Sequence, residues 1–168
     1  MSSKKWNIKS IVKEILSTVA IFFVISLVIN HFRQPEVTEN IFTQQLVNIK
    51  NQKIDFKAYE GKPLVVHFWA TWCPTCKLEA SNIETISKSH NVVTIAVNSG
   101  SNEELLAHMK AKELTYSVIN DSEGILSHKF NIEAYPTTLI YDAKGELKFT
   151  EVGYSTTLGL KARLELAK

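Results

Sequence analysis

The sequence holds two cysteines, Cys73 and Cys76, with Pro74 and Thr75 between them. A Cys-x-x-Cys pair can exchange a disulfide with another molecule, or it can supply half of a zinc site. Two cysteines are too few for a scaffold held by several disulfides or for a four-thiolate zinc site. The pair is therefore the first candidate for chemistry in this chain.

The residues around the pair predict where it lies. Residues 64–70 form a near-continuous apolar run, typical of a strand buried on both faces, and a helical stretch from Cys73 to about Lys88 follows. A Cys-x-x-Cys between a strand and a helix favours redox chemistry. Cys73 would lie at or just before the first helical turn, where free N–H groups and the helix dipole favour a thiolate. Pro74 suits the first helical position, and Cys76 would lie one turn further on, within bonding reach of Cys73.

The energy needed to ionise Cys73 can be bounded. A free thiol with a pKa of about 8.5 is about 3% ionised at pH 7, and lowering that pKa by two units needs about 2.7 kcal/mol. A helix terminus supplies about 0.3–1 kcal/mol and at most about 2 kcal/mol. We expect the N–H groups of Thr75 and Cys76 and the Cys76 thiol to supply the rest. We therefore predict an exposed, acidic Cys73 sulfur that captures a substrate disulfide, and a Cys76 that resolves the mixed disulfide.

Two other interpretations of the pair are less favoured. Half of a metal site would need histidine ligands from elsewhere, and His90, His108 and His128 have no mutual metal-ligand spacing. An inert structural disulfide would stabilise the fold little, because it would close a very short loop.

The remaining pattern alternates strands with helices. We expect strands at 53–56, 64–70, 92–97, 116–119, 137–141 and 146–152, helices at 73–88, 103–112 and 156–168, and a short helix or turn at 122–130. Leu78, Ile83 and Ile86 would form the inward stripe of the first helix, and Ser101 with Glu104 forms a capping box. The alternation predicts an α/β sandwich with right-handed crossovers, closed by one antiparallel hairpin.

The first 33 residues form a separate segment. Residues 15–29 carry no charge, and residues 11–32 are long enough to cross about 30 Å of hydrocarbon at 1.5 Å per residue. Four lysines precede the uncharged stretch 15–29, so the N-terminus is predicted to be cytoplasmic. We therefore expect a cytoplasmic tip and transmembrane signal anchor (1–33), a tether (34–52) and a domain (53–168). The domain would lie on the periplasmic or extracytoplasmic side of a bacterial inner membrane.

Two alternatives to an anchor are weaker. A cleaved signal peptide should end in small residues, which residues 30–35 lack. A buried helix of a soluble protein should show a polar face, and Ser17, Thr18 and Ser26 are too few to make one.

Composition excludes other classes. The chain has 168 residues, 45% apolar and 21% charged, which is typical of a globular protein. Residues 34–168 carry 14 basic and 16 acidic side chains with no basic stripe, so we expect no nucleic-acid partner.

The stretch Val66-His-Phe-Trp-Ala-Thr-Trp-Cys-Pro-Thr-Cys-Lys-Leu-Glu79 resembles the active site of thioredoxin-fold proteins of the TlpA/ResA-like branch. Within this branch, the chain resembles membrane-anchored, ScsD-like protein disulfide oxidoreductases. The resemblance covers about residues 53–168 and the anchor arrangement. The segment 134–138 resembles the family's cis-proline loop, and Gly153 its glycine after the last strand. The 63 residues from Cys73 to Pro136 leave space for the extra βα element of this branch.

The resemblance implies a thioredoxin-like three-layer α/β/α sandwich with a mixed central sheet. It implies that Cys73, Cys76, Glu79 and Pro136 are catalytic, with Pro136 cis beside the dithiol and Glu79 managing the protons of the pair. It further implies that Trp72, Pro74, Thr75 and Tyr135 contact substrate, with the Tyr135 backbone pairing with an extended segment. From the residues alone, Tyr135-Pro136 could be an ordinary turn and Glu79 a solvated helix residue.

Two positions depart from the family pattern. His67 lies six residues before Cys73, where thioredoxin itself has a buried acid. A neutral, hydrogen-bonded core histidine is favoured there over a proton-exchanging one. Ser81 replaces a helix-kinking proline, which puts the kink in doubt.

The predicted function is a membrane-anchored thiol–disulfide oxidoreductase acting on thiols or disulfides of exported proteins, with no cofactor beyond its redox-active disulfide. A membrane redox partner would recycle the pair, and the direction of exchange stays open, because relatives span about 150 mV, or about 7 kcal/mol. One alternative is a reductant for cytochrome c maturation. Others are a copper(I)-binding dithiol chaperone, which the lack of a Met cluster argues against, and a pure binding module.

Overall fold

The computed structural model describes residues 12–18, 20, 21, 25, 35, 37, 41 and 45–168. The chain divides into two compact units, residues 1–34 and 35–168. In the first unit, residues 12–18, 20, 21 and 25 are helical. Most of the predicted transmembrane anchor lies outside the described residues, and none of the helices within them is long and apolar enough to span a membrane.

The second unit alternates strands and helices, much as the sequence predicts. Its strands are β1 (Leu46–Val47), β2 (Lys53–Ile54), β3 (Leu64–Trp69), β4 (Asn91–Val97), β5 (Ser117–Asp121), β6 (Thr137–Tyr141) and β7 (Leu147–Val152). Its helices are a short 3-10 helix (Phe56–Tyr59), α1 (Pro74–Ser87), α2 (Asn102–Ala111), α3 (Ile125–Lys129) and α4 (Thr157–Leu166). The predicted strand at 53–56 is shorter than expected, because Asp55 caps the 3-10 helix by accepting a hydrogen bond from the Lys57 N–H.

A five-stranded mixed sheet organises this unit, in the order β5-β4-β3-β6-β7. β4 runs parallel to β3 and β5, whereas β6 runs antiparallel to β3 and β7. β3 is therefore the central strand, and all six of its residues are buried. The thioredoxin-like α/β fold with a mixed central sheet is confirmed.

The sheet separates two apolar clusters, as a three-layer arrangement requires. Val65 and Trp69 of β3 belong to one cluster, which also holds both cysteines and the buried faces of α1, α2 and α4. The alternate residues Val66 and Phe68 belong to the other cluster, together with Phe130 at the end of α3. Because successive side chains of a strand point to opposite faces, β3 joins the cysteine-bearing layer to the rest of the core.

Part of the predicted tether packs into the second unit. Ile41 and Ile49 are buried, and the Ile49 N–H donates a hydrogen bond to the Val118 carbonyl at 2.9 Å. The β1 and β2 strands pair with each other in an antiparallel ribbon. The segment 34–52 therefore contributes to the core in addition to linking the domain to residues 1–33.

The inward face of α1 differs from the prediction. Leu78 is 72% exposed, so its assignment to the core is wrong. The buried residues of α1 are Cys76, Glu79, Ile83 and Ile86. The helix begins at Pro74, and in this orientation Glu79 faces the core whereas Leu78 faces outward.

Candidate active site

Cys73 and Cys76 form a disulfide at the N-terminus of α1, with their Cα atoms 5.3 Å apart. Cys73 is the N-cap residue, in an extended conformation that follows the loop after β3, and Pro74 occupies the first helical turn. The predicted placement of both cysteines within bonding reach is confirmed. This placement follows from the order of the elements, because the buried strand β3 is joined by a short loop to the start of α1, where Cys73 lies.

The sulfur of Cys73 has two backbone neighbours. The Cys76 N–H donates a hydrogen bond to Cys73 Sγ at 3.2 Å, and the Tyr135 carbonyl oxygen lies 3.5 Å from the same sulfur. Cys73 is only 4% exposed, so the prediction of an exposed leading sulfur is wrong for this disulfide form. The Tyr135 backbone lies against this sulfur.

The loop that contains Tyr135 has the predicted proline conformation. The Tyr135–Pro136 peptide bond is cis, and Pro136 is buried. The Pro136 carbonyl accepts a hydrogen bond from the Gly153 N–H at 2.8 Å, and the Thr137 hydroxyl donates to the Ala134 carbonyl at 2.8 Å. The start of β6 and the end of β7 thus hold the cis-proline loop against the disulfide.

Aromatic side chains form the rim of the site. Trp72 is 55% exposed, and its ring lies edge-on to Tyr135 with centroids 5.8 Å apart. Its indole N–H donates to the Asn98 carbonyl at 3.1 Å, so the exposed ring is held at two points. Pro74 is exposed and Thr75 half-buried on the first turn of α1. The four residues predicted to contact substrate therefore lie around the disulfide.

Glu79 is fully buried, so the interpretation as a solvated helix residue is wrong. Burial raises the pKa of its carboxyl to about 7, and the nearby Glu151 adds to the rise, whereas hydrogen bonding from Ser155 opposes it. Oε1 accepts a hydrogen bond from the Ser155 N–H at 3.1 Å. Oε2 has no hydrogen-bond partner among the described residues.

His67 is a neutral core residue, as favoured from the sequence. It lies on β3, and its Nδ1 is 2.9 Å from the Thr138 hydroxyl on β6. Complete burial lowers the pKa of His67 to about 3, so the ring is uncharged at neutral pH. It therefore joins the two central strands through a polar contact inside the core.

Sequence reasoning missed the side chains that support the site. Asn82 bonds to residues 154, 155 and 157, and the Ser99 hydroxyl accepts a hydrogen bond from the Thr71 N–H at 3.0 Å. These partners lie 28 to 75 residues apart in the chain. No spacing pattern within one element could have indicated them.

No group of three or more His, Cys, Asp or Glu side chains is placed to hold a metal ion in the part of the chain that the structure describes.

The fold and the disulfide define a class. A redox-active cysteine pair at the start of a helix on a mixed sheet, here joined as a disulfide and facing a cis-proline loop, is the arrangement of thioredoxin-fold thiol–disulfide oxidoreductases. The family model described as Redoxin matches residues 33–164, so the chain belongs to this family, in its TlpA/ResA-like branch. It is a thiol–disulfide oxidoreductase.

Individual relatives agree with this assignment. A thioredoxin-like protein of Haemophilus influenzae is 27% identical over 164 residues, covering 96% of this chain and 98% of the relative. Thiol-disulfide oxidoreductase ResA of Geobacillus kaustophilus is 30% identical over 129 residues, covering 73% of each chain. The crystal structure of StoA from Bacillus subtilis has a TM-score of 0.64 and 26% identity, covering 74% of this chain and 98% of StoA.

Proposed function

We propose that this protein is a membrane-anchored oxidoreductase that exchanges disulfides with exported proteins through Cys73 and Cys76. The observation that carries the proposal is the disulfide at the N-terminus of α1, facing the cis-Pro136 loop. The apolar run at 15–29, preceded by four lysines, supports an anchor with the catalytic domain on the extracytoplasmic side. Disulfides persist there, whereas the cytoplasm reduces them.

In the reduced enzyme, Cys73 is the attacking sulfur. It caps α1 and accepts the Cys76 N–H, so a negative charge on it would be stabilised by a hydrogen bond and by the helix terminus. The Cys73 thiolate attacks one sulfur of a substrate disulfide. A bond forms between Cys73 and that sulfur, the substrate S–S bond breaks, and the other substrate sulfur leaves as a thiolate.

Cys76 then resolves the mixed disulfide. We infer that its thiol passes a proton to Glu79, which lies three residues further along α1 and is buried on the same helix. The resulting thiolate attacks Cys73 Sγ, the enzyme disulfide forms, and the second substrate thiolate leaves. Two electrons pass from the dithiol to the substrate, and oxidation of a substrate dithiol follows the same steps in reverse.

The substrate segment would lie along the cis-proline loop. We infer that an extended chain pairs with the Tyr135 backbone, while Trp72, Pro74 and Thr75 contact the residues beside its cysteine. No cofactor beyond the disulfide takes part in these steps, and a membrane redox partner would return the pair to its starting state.

The test traps the mixed disulfide in the full chain, expressed in its membrane. In Cys76→Ser the resolving sulfur is lost, so we expect complexes with exported proteins that run as one band and separate with a reductant. Cys73→Ser is the matched control and should give none. Complexes on Cys73→Ser alone would reverse the assigned roles, and their absence from both variants would contradict the proposal.

The anchor is tested on the same preparation. We expect the full chain to stay in the membrane fraction after alkaline carbonate extraction, and protease added to spheroplasts to digest residues 34–168. Release by carbonate, or protection from protease, would contradict the proposed topology.

A further inference from the structure

Asn82 fastens the connection between β7 and α4 to helix α1. Its side-chain amide donates hydrogen bonds to the Ser155 carbonyl at 2.9 Å and to the Tyr154 hydroxyl at 3.0 Å. Its Oδ1 accepts a hydrogen bond from the Thr157 hydroxyl at 3.0 Å. The three partners lie 72 to 75 residues further along the chain, so one side chain joins two distant elements.

The same connection holds the Glu79 carboxyl. Glu79 precedes Asn82 by three residues, and both side chains reach Ser155: Glu79 Oε1 accepts from its N–H, and Asn82 donates to its carbonyl. The peptide groups of Ser155 are therefore bound on both sides by α1. Two residues upstream of Ser155, the Gly153 N–H donates a hydrogen bond to the Pro136 carbonyl, so the connection also contacts the cis-proline loop.

The surroundings of Glu79 make this hydrogen bond important. The carboxyl is fully buried, and its Oε2 has no partner among the residues that the structure describes. From β7 it faces Glu151, whose charge is paired with Arg163 of α4 at 2.6 Å. The Glu79 charge also contributes to raising the pKa of Tyr116, which precedes β5. Among these groups, Ser155 is the residue whose hydrogen bonding lowers the pKa of this carboxyl, through its N–H and its side chain, and the N–H lies 3.1 Å from Oε1.

We propose that Asn82 is a positioning residue for disulfide exchange, which holds the Ser155 N–H against Glu79 and so keeps that carboxyl able to accept the proton of Cys76. The inference rests on the proton-accepting role of Glu79 proposed above. A hydrogen bond donated to a carboxylate stabilises the charged form. When Asn82 is lost, Ser155 is free to move away, the ionised form of Glu79 loses its donor, and proton transfer needs a higher pH.

The experiment separates the two chemical steps in the full, reduced chain. Stopped-flow mixing with an equimolar aromatic disulfide such as DTNB releases one coloured thiolate on attack by Cys73 and a second on resolution by Cys76. We expect Asn82→Ala to leave the first phase unchanged and to slow the second about tenfold at pH 7, because the ionised carboxylate loses a hydrogen-bond donor. The pH midpoint of the second phase should rise.

Thr85→Ala is the matched control on α1. Thr85 is exposed and its hydroxyl donates within the helix to the Ser81 carbonyl, so its loss should change neither phase. Should Asn82→Ala lose the first phase through misfolding, Thr157→Val replaces it. This variant removes one partner of Asn82 and leaves Ser155 untouched, and we expect a smaller shift of the second phase in the same direction.

Glu79→Gln distinguishes failure of this inference from failure of the proposed mechanism. The inference is supported when Asn82→Ala shifts the second phase in the otherwise unchanged chain and adds no shift in Glu79→Gln. A second phase altered by Glu79→Gln but not by Asn82→Ala overturns the role of Asn82 and leaves that of Glu79 intact. No effect of Glu79→Gln on the second phase overturns both.

Discussion

Glu79 is an acidic side chain held where water does not reach it. Burial destabilises its charged form and raises its pKa to about 7, against an ordinary value of 4.5. A carboxyl with this pKa is present in both protonation states near neutral pH, so it can take up a proton and return it. An acid or base whose pKa lies near the working pH transfers protons most efficiently. The residue is therefore suited to the proton that Cys76 must lose.

The first prediction concerns the pH dependence of exchange in Glu79→Gln. Reduction of a protein disulfide such as insulin by the full chain should quicken as the pH rises through about 7, where Glu79 ionises. Glutamine cannot accept the proton, so the variant should lose this rise and be about a hundredfold slower at pH 7.5, the lower end of the usual contribution of a general base. The rate of a single turnover of the pre-reduced full chain with insulin, measured from pH 5 to 9, checks this.

Glu84 offers a matched control on the same helix. Its pKa is lowered to about 2, because hydrogen bonds from Lys88 and Thr115 outweigh the effect of burial. It stays ionised from pH 5 to 9, so Glu84→Gln should leave the shape of the profile unchanged. Profiles of Glu79→Gln and the wild type with the same shape would show that Glu79 takes no part in the proton transfer.

At the scale of elements, helix α1 carries the cysteine pair at its start and a buried carboxyl, that of Glu79, on the face that packs into the core. Its first turn carries Cys73 as N-cap with Pro74 behind it, and its buried stripe continues through Glu79 to Ile83. The positions of Cys73 and Pro74 have a local cause, because both residues lie at a helix start directly after a buried strand. The burial of Glu79 depends instead on the rotation of the helix against the sheet and on the distant segment that covers its carboxyl.

This difference explains what the sequence could and could not predict. The capping box of Ser101 with Glu104 is present, and the central strand and the cis Pro136 agree with expectation, because each is signalled by neighbouring residues or by the family motif. The burial of Glu79 in place of Leu78 was missed, since hydrophobicity alone favours leucine inside. Its stabilising partner, Ser155, lies 76 residues away, and no periodicity links such positions.

The second prediction tests this reversal within α1. Ile83 is fully buried and Leu78 is 72% exposed. Ile83→Ala should lower the free energy of unfolding by about 2–5 kcal/mol, because it removes buried methyl groups and leaves a cavity. Leu78→Ala should change it by less than about 0.5 kcal/mol, as surface substitutions usually do.

Chemical denaturation of the full chain in detergent, with the disulfide intact, measures both variants on one scale. Equal losses in the two variants would mean that Leu78 packs in the core, and would contradict an orientation of α1 that exposes it.

For the whole molecule, two buried titratable groups make stability depend on pH in opposite directions. Glu79 has a folded-state pKa of about 7, above its unfolded value, so its stabilising contribution is complete below about pH 4.5 and is lost as the pH rises through 7. His67 has a folded-state pKa of about 3, below its unfolded value of 6.5. Its contribution is present above pH 6.5 and is lost as the pH falls toward 3.

The two slopes should cancel between about pH 4.5 and 6.5, and the third prediction separates them. Over that range each group changes the free energy of unfolding by about 1.4 kcal/mol per pH unit, with opposite sign. Relative to the wild type, Glu79→Gln should therefore gain about 3 kcal/mol as the pH rises from 4.5 to 6.5, and His67→Gln should lose about as much.

Differences are compared because the lowered pKa of His108 adds a slope common to all three chains. Denaturant titrations of the full chain at pH 4.5, 5.5 and 6.5 measure the effect, and Thr85→Ala should follow the wild type throughout. Parallel curves for Glu79→Gln and the wild type would mean that Glu79 ionises in the folded protein as easily as in the unfolded chain, and would contradict the effect assigned to its burial.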